Sequence, residues 1–122
     1  PALAESEPQI DCANASSTLE MNFCADKDFT AADKALNAAY QRALKAVPGM
    51  ADGASDRFSA RNWEKALRDS QRAWLAYRDA ECREHIPMFW GGGTGTTVAV
   101  IGCLTALTNA RTKELRESYD AR

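Results

Sequence analysis

The chain has 122 residues, of which 45% are hydrophobic and 26% are charged, and its formal net charge at pH 7 is −2. This balance is ordinary for a single globular domain and excludes a chain that is mostly disordered. A nucleic-acid binder usually presents a basic patch or stripe, and a sequence pI near 5.4 argues against one. No apolar run approaches the roughly 20 residues that cross a bilayer, since the longest, at residues 98–104, is interrupted by Gly102.

The first residues have the pattern of a secretory signal. Ala2-Leu3-Ala4 matches the A-x-A form of a signal-peptidase site and is followed at once by polar residues. We expect residues 1–4 to end or adjoin a signal peptide, with the mature chain starting near Glu5; a chance match of this alanine-rich stretch is the alternative. We further expect a flexible N-terminal arm over residues 1–11 and a single helical domain over residues 12–122.

Hydrophobic periodicity predicts an all-α bundle with a short N-terminal helix and three long helices. The short helix begins at Ser17, which opens a capping-box sequence, and ends near Cys24. The first long helix begins at Thr30, with apolar residues at steps of three and four, and Pro48-Gly49 stops it. The acidic stretch between these helices, residues 26–28, either breaks the helical pattern or is included in it.

The second long helix is predicted over residues 56–84. Pro87 ends it, and residues 91–97 form a loop, because four glycines in five residues are costly inside a helix or a strand. The third long helix runs from residue 97 or 98 to about Ser118. Residues at alternating steps of four and three along the second helix form a predicted inward seam with a seven-residue period. The seam consists of Trp63, Leu67, Ser70, Trp74 and Tyr77.

The cysteines are even in number, widely spaced and without a C-x-x-C pair. That spacing is unlike a zinc ribbon or a thioredoxin-like redox site. Two disulfides, and hence an oxidising compartment such as the periplasm, are favoured over a zinc site made of four thiolates or including His85. The residues concerned are Cys12, Cys24, Cys82 and Cys103.

Four cysteines allow three pairings. Cys82 and Cys103 flank the glycine-rich loop, so a bridge between them closes a helical hairpin. A continuous helix would hold Cys12 and Cys24 about 18 Å apart, far beyond disulfide reach. Their pairing therefore needs a chain reversal at residues 14–16, and without it Cys12 must bridge to another helix. We favour Cys12–Cys24 and Cys82–Cys103.

The sequence carries no convincing catalytic motif. The loop at residues 91–97 lacks the Gly-Lys-Ser/Thr and the preceding strand of a phosphate-binding loop, and we interpret it as a connector or a partner-binding loop. His85 is the only histidine and has no recognisable nucleophile to activate. No carboxylate pair is singled out for glycosidase chemistry. We expect no enzyme activity, no cofactor and no metal.

Several polar residues lie on or beside the apolar stripes of the predicted helices. Charges in such positions are costly unless they are paired and hydrogen-bonded. We therefore predict a semi-buried network that joins Asp33 and Asn37 to Arg78 or Arg111 across three helices. We interpret it as a clamp that sets the register of the helices; an active site in an open cleft is the alternative.

Four motifs occur in order along the chain: E-M-N-x-C from Glu20, D-x-x-L-N-x-x-Y from Asp33, Q-R-A-W-L-x-Y-R-D-x-x-C from Gln71, and C-x-x-x-L-T-x-x-R-x-x-x-L from Cys103. With these motifs the chain resembles the lysozyme inhibitor LprI-like domain family over about residues 12–116. The resemblance implies an exported, cysteine-bearing helical domain of the periplasm or cell envelope, and the family name implies inhibition of lysozyme.

Two functions without catalysis follow as hypotheses. The first is an exported protein that binds and inhibits lysozyme-type muramidases. The slight negative charge of this chain would favour its encounter with a basic lysozyme. The second is a periplasmic binding or structural module for another protein. In the first hypothesis, the predicted contact with lysozyme combines aromatic anchors with an adaptable glycine loop. Its residues are His85, Phe89, Trp90, Gly91, Gly92, Gly93 and Thr94.

Overall fold

The computed structural model describes residues 9–120, and all of their regular structure is helical, as the sequence predicts. Three rods form the bundle: α1, a second rod in which α2 continues through a π-helical segment into α3, and α4. A single-turn 3-10 helix precedes the first rod and another precedes the second. The bounds are Cys12–Asn14 (3-10), α1 Thr18–Met50, Asp56–Phe58 (3-10), α2 Ala60–Asp79, the π segment Ala80–His85, α3 Ile86–Trp90 and α4 Thr96–Tyr119.

The first rod joins the predicted short helix to the first long helix. Its start is the predicted capping box: the Ser17 hydroxyl accepts from the Glu20 N–H at 3.1 Å, and the Glu20 carboxylate accepts from the Ser17 N–H at 3.2 Å. A second helix start at Thr30 is wrong. The Thr30 hydroxyl instead donates to the carbonyl of Asp26, one turn earlier, at 3.0 Å. Residues 26–28 therefore continue the helix.

The connection between the first two rods covers residues 51–59 and lies later in the chain than predicted. Pro48 lies inside the last turn of α1, which ends at Met50. Proline has no N–H, so the hydrogen bond from residue 48 to the carbonyl four residues earlier is missing in this last turn. The predicted start at residue 56 is a 3-10 turn, and α2 begins at Ala60, where the hydroxyl of Ser59 caps it.

The prediction that Pro87 ends the second long helix is wrong, because helical backbone continues to Trp90. Proline lacks an N–H, and in an α-helix its ring meets a carbonyl of the preceding turn. The π segment widens that turn: the Ile86 N–H donates to the carbonyl of Glu81, five residues earlier. Pro87 then occupies the first turn of α3, where a missing donor is tolerated.

The core lies mainly between α1 and α4, the pair with the most extensive contact. Small buried side chains at Ala32, Ala39 and Ala43 let the two helices approach closely. Larger side chains fill the remaining space, and each stabilises the fold by roughly 1.5–3 kcal/mol when fully buried. The core cluster is Leu36, Ala39, Ala43, Val47, Leu67 and Leu115, with Tyr40, Leu44, Trp63, Trp74 and Tyr119 packed against it.

The outer two rods run parallel to each other. Arg42 pairs with Asp120 at 3.1 Å toward their C-terminal ends, whereas Asp28 and Thr105 line one depression nearer their N-terminal ends. The second rod is antiparallel to α4. A disulfide joins the two beside the hairpin, and the Trp63 indole N–H donates to the Tyr119 hydroxyl at 2.9 Å at the opposite end. One end of the bundle thus holds the starts of α1 and α4 together with α3.

The predicted seven-residue seam of the second rod is wrong at two positions. Ser70 and Tyr77 are exposed, whereas Gln71 and Arg78 are each only 7% exposed. Gln71 and Arg78 are themselves seven residues apart, so the buried face keeps the predicted period but is rotated by one residue, about 100° around the helix, at these two positions. The buried face of α2 therefore carries two polar side chains that the apolar pattern alone does not indicate.

Both favoured disulfides are present. Cys12 and Cys24 have Cα atoms 5.6 Å apart, because the 3-10 turn and the extended backbone of Ala15 reverse the chain before α1. Cys82 and Cys103 have Cα atoms 5.4 Å apart and join the π segment to α4.

The signal-peptide prediction concerns residues 1–4, and these, with most of the predicted arm, lie outside the described residues. Within residues 9–120, no helix is both long and apolar enough to cross a bilayer.

Candidate functional site

A buried guanidinium links the three rods at mid-height. The side chain of Arg78 is 8% exposed; its Nε donates to Asp79 Oδ1 at 3.2 Å and its Nη1 donates to Thr108 Oγ1 at 3.3 Å. The same Nη1 lies 3.7 Å from Asp33 Oδ1 on α1. Asp33, Arg78 and Thr108 come from α1, α2 and α4, so one side chain contacts all three rods.

Aromatic rings complete the surroundings of Arg78. Its guanidinium carbon lies 5.5 Å from the ring centroid of Phe29 and 5.4 Å from that of Trp74. Cations at this distance from a ring face are attracted by its quadrupole. The guanidinium is therefore packed into a seam and does not line an open cleft, which supports the clamp interpretation over an active site.

The other predicted members of the network lie apart from Arg78. Arg111 forms its own cluster, in which Nε donates to Gln71 Oε1 at 2.8 Å and the two terminal nitrogens reach Ser70 and Glu114 at 3.3 Å. Asn37 is exposed and belongs to neither cluster. It follows a buried leucine by one residue, about 100° around the helix, and so points away from the seam.

The end of the bundle that holds α3 presents large apolar side chains to solvent. Met88 is 77% exposed, Phe89 is 72% exposed and Trp90 is 52% exposed. We call these three residues, with the loop at residues 91–95, the tip. Contiguous exposed apolar residues of this size mark interaction surfaces. Phe89 and Trp90 are among the contact residues predicted from the sequence, whereas Met88 is not, although the unbroken Met-Phe-Trp run could have indicated it.

His85 supports the tip from the π segment. Its ring centroid lies 5.0 Å from that of Phe89, and its Nδ1 is 2.9 Å from Glu81 Oε1. Two neighbours therefore hold the imidazole, which in turn limits the positions open to the Phe89 ring. His85 is exposed, and the contacts around it are those of a supporting side chain.

The glycine loop is a folded turn. Gly91 ends α3 with φ of 59°, a conformation that favours glycine, and the Gly93 N–H donates to the Trp90 carbonyl at 3.1 Å. A Cβ at Gly95 would lie 2.6 Å from the indole ring of Trp90, so only glycine lets that ring rest on the loop. Thr94 is exposed on the outside. The loop thus preorganises Trp90, whereas the sequence predicts an adaptable probe.

An apolar groove lies at the end of the bundle opposite the tip. Phe58 is 60% exposed and lines a groove of about 500 Å³ with Trp63, Ala66, Asn62 and Arg57. The part of the chain that the structure describes contains no group of three histidine, cysteine or acidic side chains placed to hold a metal ion. All four cysteines are bonded as disulfides.

Comparisons with known proteins agree with the geometry. A family model described as "Lysozyme inhibitor LprI" matches residues 11–115, which include both disulfides, the Arg78 cluster and the tip. The chain is 39% identical to the uncharacterized protein R02472 of Rhizobium meliloti (strain 1021), over 99% of this chain and 86% of the relative. No solved structure matches the chain. Because the family model covers most of its length, the chain belongs to the lysozyme inhibitor LprI family.

Proposed function

We propose that this protein is an exported envelope protein that binds and inhibits lysozyme-type muramidases, and that it acts by binding and not by catalysis. The observation that carries the proposal is the run of three exposed apolar side chains, Met88, Phe89 and Trp90, on a helix that projects from a disulfide-linked bundle. Family membership supports the same function.

The tip suits the physical task of an inhibitor. Lysozyme holds its two carboxylates in a cleft that receives the sugar chain, so a protein that fills the cleft excludes the substrate. Phe89 and Trp90 are anchors of the type that dominates protein interfaces. Before binding, the ring of Phe89 is restricted by its contact with His85 in the π segment, and the ring of Trp90 is restricted by the loop turn at Gly95. This reduces the entropy lost on association.

The two disulfides support a location outside the cytoplasm. Disulfides persist in the periplasm and in secreted proteins, whereas cytosolic thiols are kept reduced. We therefore place the protein in the periplasm or outside the cell, which is also where it would meet a muramidase.

The direct test is inhibition of muramidase in a turbidity assay on bacterial cell walls. The double variant Phe89→Ala/Trp90→Ala should raise the half-inhibitory concentration by about 30-fold or more, since interface anchors typically contribute about 2 kcal/mol or more. Tyr77→Ala is the matched control, because it removes a 57% exposed ring from the side of α2. Wild-type protein that inhibits none of several lysozymes at tens of micromolar would refute the proposal.

A second candidate is a non-catalytic envelope module that binds another protein through the groove beside Phe58, an apolar surface well away from the tip. Affinity capture from a periplasmic extract separates the candidates. A partner that is lost with Phe58→Ala and kept with Phe89→Ala/Trp90→Ala supports the groove, and the reverse pattern supports the tip.

A further inference from the structure

The first turns of α1 lie at the same end of the bundle as the tip. Asp33 and Thr108 meet at one level around Arg78, and Arg42 pairs with Asp120. Equivalent levels on these parallel helices therefore differ by about 75–78 in residue number. That offset brings residues 18–24 level with about residues 93–102, where α4 begins beside the tip.

The exposed apolar side chains are concentrated at this end. Eight large hydrophobic residues are exposed among those that the structure describes, and five of them lie in the first turns of α1 or in α3. The two from α1 are 76% and 39% exposed. No signal in the sequence alone joins them to the tip, since they are about 70 residues away along the chain. The five are Leu19, Met21, Met88, Phe89 and Trp90.

The charges of the bundle are separated between its two ends. Between the Arg78 cluster and the tip, residues 9–32 and 80–107 carry six acidic residues against two lysine or arginine residues, a formal charge of −4. On the other side, residues 34–77 and 109–120 carry seven acidic residues against eleven basic ones, a charge of +4. The near-neutral total of −2 hides this polarity. The acids at the tip end are Asp11, Glu20, Asp26, Asp28, Glu81 and Glu84.

We propose that this end of the bundle is a composite docking face, formed by the tip with Leu19 and Met21 and ringed by acidic residues, and that it selects a protein partner with a basic rim around an apolar pocket. The inference rests on the proposed function and names the chemistry of the partner. Complementary charge steers encounter and excludes wrong partners. A charge of −4 opposes docking on an anionic lipid surface, although exposed aromatic and methionine side chains would otherwise suit one.

Paired charge reversals test the acidic ring. Asp26→Lys/Glu84→Lys and the control Asp52→Lys/Glu117→Lys each raise the net charge by four, and all four replaced residues are exposed. Association with a basic c-type lysozyme is measured by stopped flow across a salt series. The tip-end variant should lower the association rate constant about tenfold at low salt, and the control by less than about twofold. Both differences should shrink as salt screens the charges.

The contribution of α1 is tested separately. Leu19→Ser should weaken binding by about threefold to tenfold, mainly through faster dissociation, whereas Tyr77→Ser should leave binding unchanged. Equal rate constants for the two charge-reversed variants, or full affinity in Leu19→Ser, would overturn the composite face and leave inhibition by the tip standing. Wild-type protein that binds no lysozyme would overturn both the composite docking face and the proposed inhibition of muramidase. If the protein floats together with vesicles rich in phosphatidylglycerol, the assignment to a protein partner is overturned.

Discussion

Replacing Arg78 by alanine is the sharpest test of the cross-link between the rods. The change removes a guanidinium that is 8% exposed and donates to Asp79 and Thr108, and it removes the cation from between two aromatic rings. If this side chain sets the register of the helices, the cost appears in the free energy of unfolding. If it instead serves an active site, stability changes little and activity is lost.

The expected magnitude follows from the surroundings of Arg78. Hydrogen bonds to a charged group contribute about 1.5–3 kcal/mol each, and breaking a fully buried ion pair costs about 3–5 kcal/mol. The two carboxylates are 45% and 47% exposed, so they regain water when the guanidinium is removed, and this lowers the cost. We therefore expect Arg78→Ala to lose about 3 kcal/mol, and Arg78→Met, which keeps most of the volume, to lose less.

The measurement is urea unfolding of the oxidised protein, followed by circular dichroism. Arg72→Ala is the control, since Arg72 is 75% exposed, pairs only on the surface and should change stability by less than about 1 kcal/mol. A loss for Arg78→Ala within about 1 kcal/mol of the control would refute the reasoning. Arg78→Met should still inhibit muramidase at temperatures at which it is folded, because Arg78 lies away from the tip.

Three further outcomes are expected. Replacing Cys82 and Cys103 by alanine should lower the free energy of unfolding by about 3 kcal/mol, since the bridge spans a sequence separation of 21, and an unchanged urea midpoint would contradict this. Gly102→Ala should stabilise α4 by about 0.5–1 kcal/mol, because a Cβ there meets nothing within 4 Å; a lower melting temperature would count against it. Backbone N–H groups of the capping turn lower the pKa of Glu20 from 4.5, so its stabilising effect is present above that pH and is lost as the pH falls through the folded-state pKa. Thermal melts from pH 3 to 6 should therefore vary less for Glu20→Gln than for the wild type, and identical pH profiles would rule this out.

Sequence patterns are sufficient for the parts of this protein that depend on local periodicity and on spacing. Apolar residues at steps of three and four predict the helices, and the capping-box sequence locates the start of the first. The even, wide spacing of the cysteines leads to the two disulfides that are observed. Burying a charge is costly unless it is paired, and this cost is the basis for predicting that Asp33 and Arg78 lie together. Each of these inferences uses a property of one segment or of a single pair of residues.

Tertiary structure decides the features that depend on longitudinal register and on small departures from 3.6 residues per turn. The π segment carries the helix past Pro87 and so places Phe89 and Trp90 on a fixed element. The orientation of α2 in the bundle buries Gln71, whereas the apolar pattern favours its neighbour Ser70. The parallel pairing of α1 with α4 brings Leu19 to the end of the bundle that holds the tip, and it separates charge between the two ends. Distant segments share an end only after the helices have packed. This is why charges of −4 and +4 at the two ends are not apparent in a chain whose total charge is −2.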